Sequence, residues 1–149
     1  MTTPSENRAI AMRWLNAFWD KSGDPAVIDD LLAYDAVLQC AVDEEYCGRQ
    51  KVKDFGHQFR RAVPDFRVYA GDVTSERDIV ILRWEGSGTH TGPAFAGLQI
   101  GPLSAASRQQ VLFAGHSAIS IAGGQIAGEA VWSKRREAQM KTMLKSFAL

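Results

Sequence analysis

The first hydrophobic rhythm in the chain has a helical period. Ile10, Ala11, Trp14, Leu15 and Phe18 recur three and four residues apart, the spacing that stacks side chains on one face of an α-helix. Thr3, Pro4 and Glu6 precede that stripe as a helix start. The Thr hydroxyl can accept from the third helical amide, Pro suits the first helical position, and Glu completes a capping box. The pattern predicts a helix from about residue 4 to 21, with Gly23 as its stop. Asp24 and Pro25 restart the chain in the same way, and Ile28, Leu31 and Leu32 give a second, short helix. "AVLQCAV" reads as a strand. Val52, Phe55, Phe59 and Val63 then mark the buried side of a third helix, from about Arg49 to Ala62, which ends before Pro64.

Beyond Pro64 the period drops to that of strands. "DFRVYAGDV", "DIVILRWEGSGTH", "VLFAGHSAISI" and "QIAGEAVW" are four β-rich runs, and "SERD" and "AGGQ" are turn signals between neighbours. Residues 92 to 108 form a long connection rich in Gly, Pro, Ser and Ala, a length more often functional than idle, placed to cover a pocket mouth. The closing segment "REAQMKTMLKSFAL" suggests a terminal helix. Helices first and antiparallel strands afterwards is the α+β pattern, with helices on one face of a curved sheet that can fold around a cavity.

Composition narrows the partners. A chain of 149 residues with 46% hydrophobic and 23% charged residues makes one globular domain, residues 1–149. Seventeen basic and seventeen acidic residues balance to a formal charge of zero, so the chain lacks the basic footprint that nucleic acid or an anionic membrane demands. The N-terminal ten residues hold no apolar signal region and no stretch approaches a membrane span, which makes the cytoplasm the expected location. Two cysteines, Cys40 and Cys47, are too few for a disulfide framework or a zinc site and read as reduced packing residues. His and carboxylate spacings are too scattered for a metal, and "GSGTHTG" is not a phosphate-binding glycine loop, so no cofactor is expected.

The order of elements, together with "GDPAVIDDLLAYDAVL", "VPDFRV", "VILRWEGSGTHTGPAFAG" and "AISIAGGQIAGEAVW", resembles the SnoaL-like polyketide cyclases of the nuclear-transport-factor and ketosteroid-isomerase superfamily. The resemblance implies a cone-shaped α+β barrel: N-terminal helices packed on a curved, mostly antiparallel sheet that encloses an apolar pocket. It also implies a homodimer joined through the sheet, a small-molecule substrate and cofactor-independent acid–base chemistry, such as aldol ring closure or isomerisation through an enolate. Epoxide opening and a non-catalytic binding module are the alternatives.

In the last strand the family carries an Asp that removes a proton beside a carbonyl. Aligned on Gly124 and Ile126, this chain has Val131 at that position. Two residues are candidates to replace the Asp. Glu129 shares a strand face with Val131 and so points either into the pocket or, with the opposite orientation, into solvent. His116 lies near a family position for an assisting pocket His, with a hydrogen-bonded core histidine as its structural alternative. Arg83 and Glu85 share one face of their strand. They form a structural ion pair or, by resemblance to limonene-epoxide-hydrolase-like enzymes, a catalytic pair, with plain solvent exposure as the third alternative. His90 reads as a structural turn histidine. For substrate contact the resemblance offers Tyr46, whose hydroxyl can orient a substrate oxygen, and the aromatic residues Trp14, Phe18, Phe55, Phe59 and Trp132, for which hydrophobic core packing is the structural alternative.

Overall fold

A computed structural model describes residues 2–98 and 102–136. Helix α1 spans Pro4–Phe18 and opens on the expected capping box, with Thr3 accepting from the Glu6 amide and Glu6 accepting from the Thr3 amide. The helix stops at Phe18, earlier than residue 21, because Asp20 competes for the backbone: its carboxylate accepts from the Ser22 amide, the Ser22 hydroxyl and the Val68 amide. Helix α2, Pro25–Leu31, is capped by Asp24. Strand β1 then runs over Leu32–Ala41, and a short strand β2, Glu44–Cys47, folds back on it through a turn that periodicity had not marked.

Helix α3, Arg49–Ala62, matches its expected bounds. Its Arg60 donates to the carbonyls of Ala17 and Phe18 at the end of α1, which has no basic residue in its own last turn. A guanidinium there satisfies terminal carbonyls and complements the negative end of the helix dipole. Four long strands follow: β3 (Arg67–Glu76), β4 (Ile79–Thr89), β5 (Gln110–Ala122) and β6 (Gln125–Arg136). The segment with the expected terminal helix lies, from residue 137 on, outside the described residues.

The six strands form one curved, unclosed sheet in the order β2-β1-β6-β5-β4-β3. Every pairing is antiparallel except β1 with β6, which is parallel. Along β4 the burial alternates strictly, with Val80, Leu82 and Trp84 inward and Ile79, Ile81, Arg83 and Glu85 outward. The inward face packs against Trp14, Leu15 and Phe18 of α1 and Val52, Phe55 and Phe59 of α3. The fold is therefore the expected cone-like α+β arrangement of three helices on a curved sheet, open at one side.

One irregularity decides where the chemistry points. In β6 the pairing with β5 slips between Ile126, opposite Ile121, and Gly128, opposite Ser120. The extra residue reverses the alternation, so Ile126 and Glu129, three apart, both face inward. A side chain at position 128 would meet the Val37 carbonyl of β1 at 3.0 Å, so glycine suits this crossing.

Candidate functional site

Glu129 lies between Leu38 of β1 and Ile119 of β5, and only 4% of its surface reaches solvent. It is the one fully buried carboxylate among the described residues. One oxygen, Oε1, accepts from the indole Nε1 of Trp14 at 2.8 Å and of Trp19 at 2.9 Å. The other, Oε2, accepts from the Ser117 hydroxyl at 2.7 Å, and Ser117 in turn accepts from the Trp84 Nε1 at 3.0 Å. Three tryptophans and one serine thus converge on a single carboxyl group. Burial raises its proton affinity above the ordinary value of 4.5, opposed by the bonds from Ser117, Trp14 and Trp19. A carboxyl group with raised proton affinity in an apolar interior suits proton transfer near neutral pH.

The indoles of Trp19 and Trp84 present their rings to an apolar cavity whose walls also include Phe59, Phe66, Phe113 and Val131. Its volume is about 20 Å³, room for one water-sized sphere. Glu129 sits behind the indoles rather than in the wall. Ser133, next inward after Val131 on β6, also borders the cavity, whose wall is entirely apolar.

Toward the open end, Tyr46, Phe55, Phe95 and Gln58 line a cleft of about 520 Å³ together with Asp43 and Glu44. The Tyr46 hydroxyl donates to Glu44 Oε2 at 2.8 Å, and its ring lies 4.4 Å from that of Phe55. Burial and then the Glu44 carboxylate hold the Tyr46 hydroxyl well above its ordinary proton affinity, so it works as a hydrogen-bond donor rather than a phenolate. Cys40, buried beside this region, has its thiol pushed up by burial and by the charges of Glu44 and Glu129.

The structure divides the residues singled out from the sequence. Glu129, Trp14, Phe18 and Phe59 are interior, and Tyr46 stands at the mouth. His116 needs correcting as a partner of Glu129: it points outward between Arg83 of β4 and Trp132 of β6, on the other side of the sheet. Trp132 is likewise corrected as a pocket residue, because it is 62% exposed on that outer face. Strand alternation is the reason in both cases, since Ser117 and Val131, their sequence neighbours, take the inward places. Arg83 and Glu85 also lie on the outer face, where the Arg83 Nη2 stands 3.4 Å from Asp72 Oδ2. They do not share the interior with Glu129. Cys40 is a packing residue, but Cys47 is exposed at the end of β2.

His90 is fully buried and bonded at both ring nitrogens, Nε2 to the Pro93 carbonyl at 2.6 Å and Nδ1 to the Ser107 hydroxyl at 2.7 Å. A carbonyl only accepts, so Nε2 carries the proton, and His90 pins the root of the 92–108 connection. The sequence reading missed Trp19, Trp84 and Ser117 as members of the carboxylate cluster. Ser117 left a signal, a lone hydroxyl among the inward apolar positions of β5. Trp19 left less, because it lies one step past the helical stripe, at the C-cap of α1. Among the described residues, no group of three or more His, Cys, Asp or Glu side chains is placed to hold a metal ion.

An open cone of helices and sheet around an apolar cavity, with one buried carboxyl beside it, defines a class of small-molecule proteins rather than one reaction. The model of the SnoaL-like polyketide cyclase family matches residues 9–138, and the chain belongs to that family. Among solved structures it is similar to a protein from Jannaschia sp. CCS1 assigned as a SnoaL-like polyketide cyclase, with TM-score 0.74 and 18% identity over 96% of this chain and 92% of that one. AclR of Streptomyces galilaeus, assigned as a hydroxylase, is similar with TM-score 0.69 and 19% identity, over 93% of this chain and 85% of AclR. An LEH-like epoxide hydrolase of M. tuberculosis gives TM-score 0.68 and 16% identity, over 88% of this chain and 84% of that one. At these identities the likeness shows the fold. No curated protein matches the sequence. No helix among the described residues is long and apolar enough to cross a membrane.

Proposed function

We propose that this chain is a cofactor-independent acid–base enzyme, cytoplasmic and dimeric, that acts on an apolar, oxygenated small molecule by ring closure or isomerisation through an enolate. The observation that carries the reading is the buried Glu129, raised in proton affinity and set behind the wall of an apolar cavity. In the proposed step the Glu129 carboxylate takes a proton from the carbon beside a substrate carbonyl, which leaves an enolate and a neutral carboxyl group. The enolate carbon then forms a bond to a second carbonyl carbon, and the new alkoxide takes the proton back; in an isomerisation the proton returns to a different carbon. Trp19, whose ring faces the cavity and whose N–H holds Oε1, is the group that must swing aside to bring substrate and base together.

The homodimer reading rests on the outer sheet face, where Tyr69, Ile79, Ile81 and Trp132 are exposed together. Epoxide opening by Arg83, Glu85 and Glu129 draws no support from the geometry, which puts the first two on the opposite face from the third. A non-catalytic binding role is the second reading, favoured by one observation: the carboxylate is already satisfied by three donors and is not part of the cavity wall. The exchange of α-protons of 2-tetralone, an apolar enolisable ketone, into heavy water separates the two. The enzyme reading expects exchange accelerated by the wild-type protein and slowed about 10²–10⁴-fold in Glu129→Gln, with 2-tetralone affinity retained. Binding without any acceleration by the wild type supports the second reading.

A further inference from the structure

The inner cavity and the mouth cleft are lined by the adjacent residues Leu98 and Gly97, and the Leu98 amide is held by the carboxylate of Glu44. Leu98, from the 92–108 connection, is 5% exposed and forms part of the cavity wall, while its neighbour Gly97 lines the cleft. Phe95 of the same connection packs between Phe55 and Phe59, at ring distances of 6.1 and 5.8 Å. The Leu98 backbone has φ +58°, the left-handed region that a leucine seldom occupies. Its amide donates to both oxygens of Glu44, at 2.9 and 3.1 Å, and Tyr46 holds the same carboxylate from the other side. At position 97 an added side-chain carbon would lie 3.0 Å from Glu44 Oε2 and 2.9 Å from the Phe55 ring, so glycine suits this close approach.

The root of the connection is separately fixed. His90 clamps it, and Phe95 and Leu103 exchange backbone bonds of 3.1 and 2.9 Å. Between these anchors Leu98 combines a left-handed backbone with a hold on the Glu44 carboxylate, the kind of strained position found at segments that switch.

We propose that Leu98 is the gate of a two-part ligand site: released from Glu44, it withdraws and joins the 20 Å³ cavity to the 520 Å³ cleft. This rests on the reading that the apolar cavity receives the substrate, and it adds what that substrate is. The ring-like apolar body enters among Trp19, Phe59 and Val131, and the trailing end, beside the carboxylates of Asp43 and Glu44, is uncharged or cationic rather than anionic.

Two naphthalene probes of nearly the same skeleton test it, neutral N-phenyl-1-naphthylamine and its anionic relative 8-anilinonaphthalene-1-sulfonate, followed by fluorescence with acrylamide quenching of the tryptophans. A Trp132→Phe background removes the exposed indole. A ligand that binds only a minor open state has its affinity scaled by that state's population, commonly about 0.1–10%. Glu44→Ala and Leu98→Gly, the second of which also suits the left-handed backbone, are each expected to tighten the neutral probe by about 10-fold or more. Quenching of the buried tryptophans should rise in the same variants, and the sulfonate should bind more weakly than the neutral probe. Affinity and quenching within about twofold of the background in either folded variant overturn the gate, as tighter binding of the sulfonate overturns the ligand class. These readouts report access, whereas loss of proton exchange in Glu129→Gln reports chemistry, so the two proposals fail separately.

Discussion

Replacing Glu129 by Leu and by Gln separates the hydrogen-bonding role of the side chain from its charge. Both variants are uncharged, so the penalty of burying a carboxylate is lifted equally in each, and the difference between them isolates the bonds. Gln keeps an oxygen where Oε1 accepts from Trp14 and Trp19, at 2.8 and 2.9 Å in the parent. Its amide nitrogen then faces the Ser117 oxygen, which already accepts from Trp84, so the serine proton and the second amide proton are left without an acceptor. Leu removes every acceptor at once and fills the space with carbon. Two indole N–H groups that Gln satisfies become orphans in a dry interior. A buried donor left without a partner costs about 1–3 kcal/mol; Leu orphans three donors and Gln two, so Glu129→Leu should be less stable than Glu129→Gln by about 1–3 kcal/mol. Against a typical total of about 5–15 kcal/mol that is a large fraction. Urea unfolding followed by circular dichroism measures it, with equal slopes required for the comparison. Equal midpoints for the two variants would refute the claim that the tryptophan bonds to this carboxyl hold the interior together.

The same carboxyl should leave a signature in stability against pH. A group whose proton affinity is raised by folding binds more protons in the native than in the unfolded state, so its contribution is complete below the ordinary value of 4.5 and is lost as pH rises through the folded value. Urea titrations should accordingly show wild type losing stability relative to Glu129→Gln as pH climbs from about 4.5; a gap independent of pH would contradict the raised affinity. His90→Ala removes the bonds to Pro93 and Ser107 and should lower stability by about 1–3 kcal/mol, some 2–4 °C in melting temperature per kcal/mol, with new proteolytic cuts inside 92–108. Ile81→Lys, on the outer sheet face, is expected to turn a sedimenting dimer into a 16.4 kDa monomer, and a wild type that is already monomeric removes the dimer reading.

The helices were legible because their signals are local. Thr3, Pro4 and Glu6 write a capping box within four residues, and the structure makes both of its bonds. The alternation in "VILRWEG" likewise gave β4 and its two faces, although which face was interior depended on the resemblance. The site was legible only in part, because each of its features depends on something distant in sequence. Periodicity counted from Ile126 turns Glu129 outward; the slip against β5 that brings it inward appears only when the two strands are paired. Likewise His116 was assigned by proximity to a family position, whereas one residue of register exchanges it with Ser117. The carboxylate cluster joins α1, β4, β5 and β6, spans up to 115 residues of sequence, and has no motif that a linear reading meets. Glu44 takes its importance from Leu98, 54 residues away.

The proposed chemistry rests on one property, the raised proton affinity of Glu129, and a carboxyl-carbon NMR titration reads it directly. With glutamate labelled with carbon-13 at its carboxyl position, one resonance should vanish in Glu129→Gln and titrate in the wild type with a midpoint above 4.5. Addition of 2-tetralone should shift that same resonance. A Glu129 signal with a midpoint at or below 4.5, unmoved by the ketone, would contradict a proton-transfer role for the buried carboxyl group.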